Sequence, residues 1–255
     1  EPLLAALRRI SPAPIRYVVN THHHGDHVGG NAVIAPAGST IAGGNVAGAI
    51  ADAGKGAAVI AQENVLARMV AAMPQPPSSA WPTDTFIDGH KDLFFNGEAV
   101  QLLYQPKAHT DSDSIVFFRK SDVIATGDVF VTTSYPLILP GDGGSIQGVI
   151  AALNRIIDLT VPADKQEGGT YVIPGHGRIC DEADVVEYRD MATIIRDRVQ
   201  DIGDRIIGHW SRTRNHGLCG DHAAGHKNDG HVQNLPFEEA IFLREGRSLK
   251  LRLKA

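Results

Sequence analysis

THHHGDHVGG, residues 21–30, places four histidines, one aspartate and three glycines in ten positions. A packed core has no use for so many imidazoles, and a solvated loop has no need of them. The stretch follows Ile15–Asn20 (IRYVVN), a β-branched and aromatic run that reads as a buried strand. Residues i and i+2 of an extended segment point the same way, so His22 and His24 can reach one metal ion together. Where the chain turns at Gly25, Asp26 and His27 can swing toward a second ion. His23 points the other way and is not expected to be a ligand. Gly25, Gly29 and Gly30 suit a tight turn in which backbone comes close to something else.

One loop does not close two metal sites, so further ligands must come from other strand ends. Three candidates follow β-rich runs. His109 lies after Ala99–Gln105, Asp128 after Asp122–Ala125, and His176 after Thr170–Ile173, each beside a glycine or another small residue. Loops at the ends of strands on a rigid sheet are common places for metal sites and catalysis.

This set of residues resembles the metallo-β-lactamase superfamily: His22-x-His24-x-Asp26-His27, then His109, Asp128 and His176, over roughly residues 10–200. The resemblance implies an α/β fold, an αββα sandwich with a two-metal site at one edge of the sheets. It also implies that His22, His24 and His109 hold one metal, that Asp26, His27 and His176 hold the other, and that Asp128 bridges them. Asp26 and Asp128 then carry catalytic roles as well, in a hydrolase whose nucleophile is water activated between two divalent ions. Zinc is the default metal for imidazole with carboxylate, and iron or manganese suits the same ligands. The wording THHHGDHVGGN (residues 21–31) is closest to the glyoxalase II branch. No C-terminal Arg/Lys arrangement of the kind that holds glutathione there is seen. Asp128 stands where β-lactamases carry Cys or Ser, which favours the broader hydrolases of thioesters, lactones, or phosphate and sulfate esters. β-Lactamase or lactonase activity and a non-catalytic metal-binding fragment are the alternatives.

The bulk numbers agree with a globular enzyme. The chain has 255 residues, 43% apolar and 21% charged, with a net charge of −5. That balance argues against a nucleic-acid binder, which would show a basic stripe. No run of 18 apolar residues marks a membrane span, and the expected partner is a small-molecule substrate. Two cysteines, Cys180 and Cys219, make no disulfide framework. Neither they nor the N-terminus chooses between cytoplasmic and periplasmic or secreted placement, and oligomeric state is not legible.

Further strands are expected at Ser39–Ala42, Ala58–Ala61, Thr85–Ile87, Asp92–Phe95 and Ser114–Arg119, with Asn96-Gly97 as a hairpin turn. Helices are expected over Leu3–Ile10, Gln62–Ala72, Ser145–Leu159 and Glu182–Ile207, the last two with apolar stripes facing a core. Residues 73–82 hold four prolines and read as a loop, either a flap carrying Trp81 over the site or an ordinary surface loop. Cys180 reads as a buried structural thiol. Fourteen residues precede Ile15, too few for the strands with which the family begins, at ~5–6 residues each. The expected organisation is therefore a hydrolase domain over residues 1–208 with its N-terminal strands missing, then a tail over 209–255. In that tail His216-x2-Cys219-x2-His222-x3-His226 fits no standard zinc finger, and a poorly packed segment is favoured over a structural zinc site.

Overall fold

A computed structural model describes residues 2–40, 56–216, 240–245 and 248–253. Helix α1 (Pro2–Ile10) precedes strand β1 (Tyr17–Val19), which leads into two single-turn helices, α2 (Gly25–Val28) and α3 (Asn31–Ile34). Then come β2 (Ala58–Gln62), α4 (Glu63–Ala71) and β3 (Asp84–Phe86). The strands β1, β2 and β3 form a parallel sheet in that order. A second sheet takes β4 (His90–Phe95), β5 (Glu98–Gln105), β6 (Asp113–Phe118), β7 (Val123–Ala125) and β8 (Tyr171–Ile173), also in order. Its pairs are antiparallel up to β7, and β7 pairs β8 in parallel. The parallel crossover from β7 to β8 carries α5 (Ile146–Leu159), and α6 (Glu182–His216) follows β8.

Alternation along the strands sends side chains into three separate seams, because successive residues of a strand face opposite sides. On β5 and β6, Leu102 and Val116 turn inward to meet Ile60 and Phe86 of the first sheet. Their neighbours Leu103 and Ile115 turn outward onto Leu153 and Ile156 of α5 and Val185 and Tyr188 of α6. On β2, Ile60 faces the second sheet, and Ala61 faces Val65 and Met69 of α4. Helix, sheet, sheet, helix is thus the layer order, the expected αββα sandwich. The site described below lies where strands of both sheets end.

The expected elements form with small shifts in their ends. Gln62 caps α4 rather than entering it, its side chain accepting from Asn64 N at 2.6 Å. Ser145 likewise caps α5, accepting from Gly148 N at 3.0 Å. Asn96 and Gly97 turn β4 into β5 with φ of 55° and 69°, the left-handed pair that a two-residue hairpin needs. The strand expected at Ser39–Ala42 is only an isolated bridge from Ser39 to Gly56, and residues 41–42 lie outside the described residues. Helix α6 runs beyond Ile207 to His216, since no proline interrupts it and the next glycine after Gly208 is Gly217. Cys219, His222 and His226 lie outside the described residues.

By internal contacts the chain divides into two units, Glu1–Asp197 and Arg198–Ala255. The second contains the end of α6 and an antiparallel hairpin of β9 (Ala240–Glu245) and β10 (Ser248–Leu253). Among the described residues, no helix is long and apolar enough to cross a membrane.

The outer seam of the second sheet gives a stability test. Leu153 is fully buried there, so Leu153→Ala should lower unfolding stability by about 2–5 kcal/mol. The check is a lower urea midpoint with an unchanged slope; an unchanged midpoint would show that α5 does not seal this layer.

Candidate metal centre

Strand β1 ends at Val19, and polar side chains from Asn20 onward fix the loop that follows. The buried Asn20 donates to His27 O (3.3 Å) and exchanges hydrogen bonds with Asn31 at 2.8 and 3.1 Å. Asn31 donates in turn to Ala80 O at 2.9 Å. Ser114 N on β6 donates to Thr21 O at 2.8 Å, so the loop is tied to both sheets. His24 is extended, at φ −65° and ψ 149°, and is the N-cap of α2, which carries Asp26 and His27.

Three imidazole nitrogens converge first. His24 Nδ1 lies 3.0 Å from His22 Nε2 and 3.1 Å from His109 Nε2. The outer nitrogen of each ring already has a hydrogen-bond partner: Thr21 Oγ1 for His22 at 3.2 Å, the acceptor Asp142 Oδ2 for His24 at 3.4 Å, and the acceptor Leu137 O for His109 at 2.5 Å. A neutral imidazole carries one proton. With that proton on the outer nitrogen, three inward lone pairs face one another. Burial, assisted by the neighbouring His27, pushes His22 down to about 2 despite the opposing pull of Asp128, so its ring is neutral at ordinary pH. Lone pairs held this close repel unless a cation lies among them. Metal–nitrogen bonds of 2.0–2.1 Å in a tetrahedral site put ligand nitrogens about 3.3 Å apart, close to this spacing. The donor set therefore fits a divalent ion.

A second group adjoins the first. His176 Nε2 is 3.1 Å from Asp26 Oδ2, and His27 Nε2 is 3.4 Å from the same oxygen. Asp128 lies between the groups, with Oδ1 3.2 Å from His27 Nε2 and Oδ2 3.5 Å from His176 Nε2 and 3.8 Å from His109 Nε2. His27 Nε2 and Asp128 Oδ1 are buried, yet neither has a hydrogen bond of acceptable geometry. Such orphaned atoms are what a missing ligand leaves behind. Burial works against charge on both groups, but each stabilises the other. His27 is raised above its ordinary value by Asp128 and Asp26, and Asp128 is lowered to about 2 by His27, His22 and His109. Asp26 and His176 are 57% and 46% exposed, whereas His22 and His109 are at 0%. The centre therefore opens on the side of the second group.

All seven residues singled out in the sequence as metal ligands come together here. Among the described residues, four groupings could each hold an ion: His22, His24 and His109; His22, His27 and Asp128; Asp26, His27 and His176; and His23, His24 and Asp142. The last was not foreseen. His23 faces away from the first group, with Nδ1 2.9 Å from Ser112 Oγ and Nε2 3.8 Å from Asp142 Oδ2. Burial lowers it to about 4. Asp142, Arg68 and Asp113 escaped sequence reading because no short-range spacing marks them. Asp113 accepts from Thr110 N at 2.7 Å and Thr110 Oγ1 at 2.9 Å, which closes the loop that holds His109. Burial pushes its carboxyl up to about 6 against those hydrogen bonds.

Two glycines make the close approaches possible. A Cβ on Gly175 would stand 2.0 Å from Asp128 Oδ1, and one on Gly144 would stand 2.2 Å from His109 O. The PGHG segment (residues 174–177) therefore brings bare backbone against Asp128 while presenting His176. Trp81 packs on the Val28, Val65 and Met69 cluster and donates to Pro76 O at 3.1 Å. Together with the Asn31–Ala80 bond, this makes residues 73–82 a buttress under the histidine loop rather than a flap. Cys180 is buried, its thiol raised to about 11 by burial, and serves packing.

No curated protein matches the chain in sequence. Solved structures share its fold. The metallo-beta-lactamase from Pontibacter korlensis superposes with a TM-score of 0.54 at 16% identity, covering 75% of each chain. The DIM-1 metallo-beta-lactamase exposed to ceftazidime gives 0.53 at 18% identity over 76% of this chain and 74% of that one. VMB-1 gives 0.53 at 15% identity over 76% and 75%. A family model described as Metallo-beta-lactamase superfamily matches residues 1–179. With its layered sheets and its two adjoining His/Asp groups, the chain belongs to the metallo-β-lactamase superfamily.

Proposed function

We propose that this protein is a dinuclear metal-dependent hydrolase of a small ester, thioester or lactone. The observation that carries the proposal is the placement of Asp128, one oxygen toward His27 and the other toward both His109 and His176. A carboxylate so placed can touch two ions at once and hold their separation. His22, His24 and His109 would hold one ion, and Asp26, His27 and His176 the other. Zinc suits these donors, as do iron and manganese. A bound pair of divalent ions supplies a nucleophile from water near neutral pH and polarises the substrate oxygen.

The protein's own side chains supply the rest. Thr21, Asp142 and Leu137 hold the outer nitrogens of the three imidazoles, which leaves the inner nitrogens for the ion. The buried rings of His22 and His109 keep bulk water from the rear of the centre. Asp26, more than half exposed at the mouth, can accept a proton from incoming water and hold it near the leaving group. No serine or cysteine nucleophile is needed, and Cys180 is too buried and too weakly acidic to serve as one.

A second reading, a β-lactamase-like specialist, is favoured by the structural neighbours, which are described as metallo-β-lactamases. Their 16% and 18% identity carries the fold and not the substrate, and an aspartate at position 128 weighs against it.

The proposal is tested by metal analysis of the purified protein beside a panel of thioesters, lactones, carboxylic and phosphate esters, and cephalosporins. Expected are two ions per chain and turnover of a thioester, lactone or carboxylic ester that stops on chelation and returns with metal. Turnover confined to cephalosporins would favour the second reading. Two ions with no turnover of any substrate would leave a metal-binding protein and end the catalytic reading.

Gly175 offers an independent check. Its Cβ would displace the Asp128 carboxylate, so Gly175→Ala should weaken metal binding about 10–100-fold, as disturbance of a ligand's surroundings does, with far-UV dichroism retained. Wild-type affinity in this variant would show that Asp128 is not a ligand.

A further inference from the structure

Of the three rings in the first group, only His24 turns its outer nitrogen to a charged acceptor. That acceptor, Asp142, is 118 residues away in sequence, in the short 3-10 turn Pro140–Asp142. A single arginine from the opposite layer holds it. Arg68, on α4, reaches Asp142 Oδ1 with Nη1 at 3.0 Å and Gly141 O at 3.3 Å. Its other edge grips Asp111 bidentately, with Nε to Oδ1 at 3.0 Å and Nη2 to Oδ2 at 2.7 Å. Asp111 is itself fixed, its carbonyl accepting from Asn64 at 2.8 Å and from the Tyr104 hydroxyl at 2.8 Å, and its N–H donating to Asp142 O at 2.8 Å. Arg68 thus joins α4 to the two loops that flank His109.

We propose that Arg68 and Asp142 act as a positioning pair for the first metal position, with Asp142 holding the His24 proton on Nε2 so that Nδ1 stays free for the ion. This rests on the dinuclear reading above. Two features give the pair that role rather than one in stability. Arg68, Asp111 and Asp142 are each about a third exposed, at 28%, 30% and 34%, and ion pairs with that much water contribute little to folding. The bidentate fork, however, fixes direction, and direction is what the tautomer of a ligating histidine requires. The competing use of the same atoms is a third ion held by His23, His24 and Asp142. The guanidinium on Asp142 Oδ1 already offsets the charge of the carboxylate whose Oδ2 that ion would need, which favours orientation over binding.

The test compares the full-length wild type with Asp142→Ala, Asp142→Asn, Arg68→Ala, Arg68→Lys and the Asp142→Ala/Arg68→Ala double variant. Zinc affinities are read by competition with a chromophoric chelator, and ligand geometry by the visible spectrum of the cobalt-loaded protein. Expected in Asp142→Ala is a loss of about 10–100-fold for one of two ions, with the other unchanged and an altered cobalt spectrum. Arg68→Ala should weaken the same ion by a smaller factor, and Arg68→Lys should recover part of it. The double variant should bind no worse than Asp142→Ala, because Arg68 acts through Asp142. The isosteric Asp142→Asn, which keeps the turn's shape, should show the same selective weakening, and urea midpoints of the metal-free variants should match wild type. Two ions held at wild-type affinity in Asp142→Ala and Asp142→Asn would overturn the proposal alone. So would three ions in wild type with one lost in these variants, or additive losses in the double variant. A wild type that takes up no ion would overturn the dinuclear reading and this proposal with it.

Discussion

Imidazole lone pairs aimed at one point repel each other unless something positive lies at that point. His22, His24 and His109 are held in that relation, with inner nitrogens 3.0 and 3.1 Å apart. Much of the surrounding structure can be understood as what keeps them there. Each outer nitrogen has a hydrogen-bond partner, two of the rings are fully buried, and the loops that bear them are fastened to both sheets. A packed interior does not relax easily, so the three inner nitrogens stay together.

The sandwich makes this possible by bringing strand ends from both sheets to one edge. His22, His24, Asp26 and His27 follow a strand of the first sheet; His109, Asp128 and His176 follow three strands of the second. Residues in separate sheets keep a common geometry only if the sheets keep a common register. The apolar seam between them, Ile60 and Phe86 against Leu102 and Val116, is therefore as much a part of the centre as its polar atoms. The glycines add precision. At Gly175 and Gly144 the backbone comes so near Asp128 and His109 that any side chain would push a ligand aside.

The layer order was implied by the family resemblance, and the seven clustered residues were legible because they follow a short-range pattern and the ends of β-rich runs. His-x-His-x-Asp-His is a local pattern whose partners lie at other strand ends, whereas which of Leu102 and Leu103, or Ile115 and Val116, faces which layer came from the structure. Arg68 and Asp142 were not legible. An arginine on a helix and an aspartate in a Pro-Gly-Asp turn look like ordinary surface residues, and 74 positions separate them. Only the packing of α4 beside the loop of residues 140–142 brings them together. The supporting role of residues 73–82 was hidden for the same reason: proline content marks a loop, while its side of the molecule depends on where Trp81 finds an apolar partner. The length of α6 was underestimated because the apolar stripe ends before the helix does.

Anomalous X-ray scattering from a crystal grown with zinc tests the central claim most directly. Two peaks per chain are predicted, one among His22 Nε2, His24 Nδ1 and His109 Nε2, the other among Asp26, His27 and His176, with the Asp128 carboxylate in contact with both. A peak on His23 and Asp142 in place of the first, a single ion remote from Asp128, or no anomalous signal at these imidazoles would contradict the account.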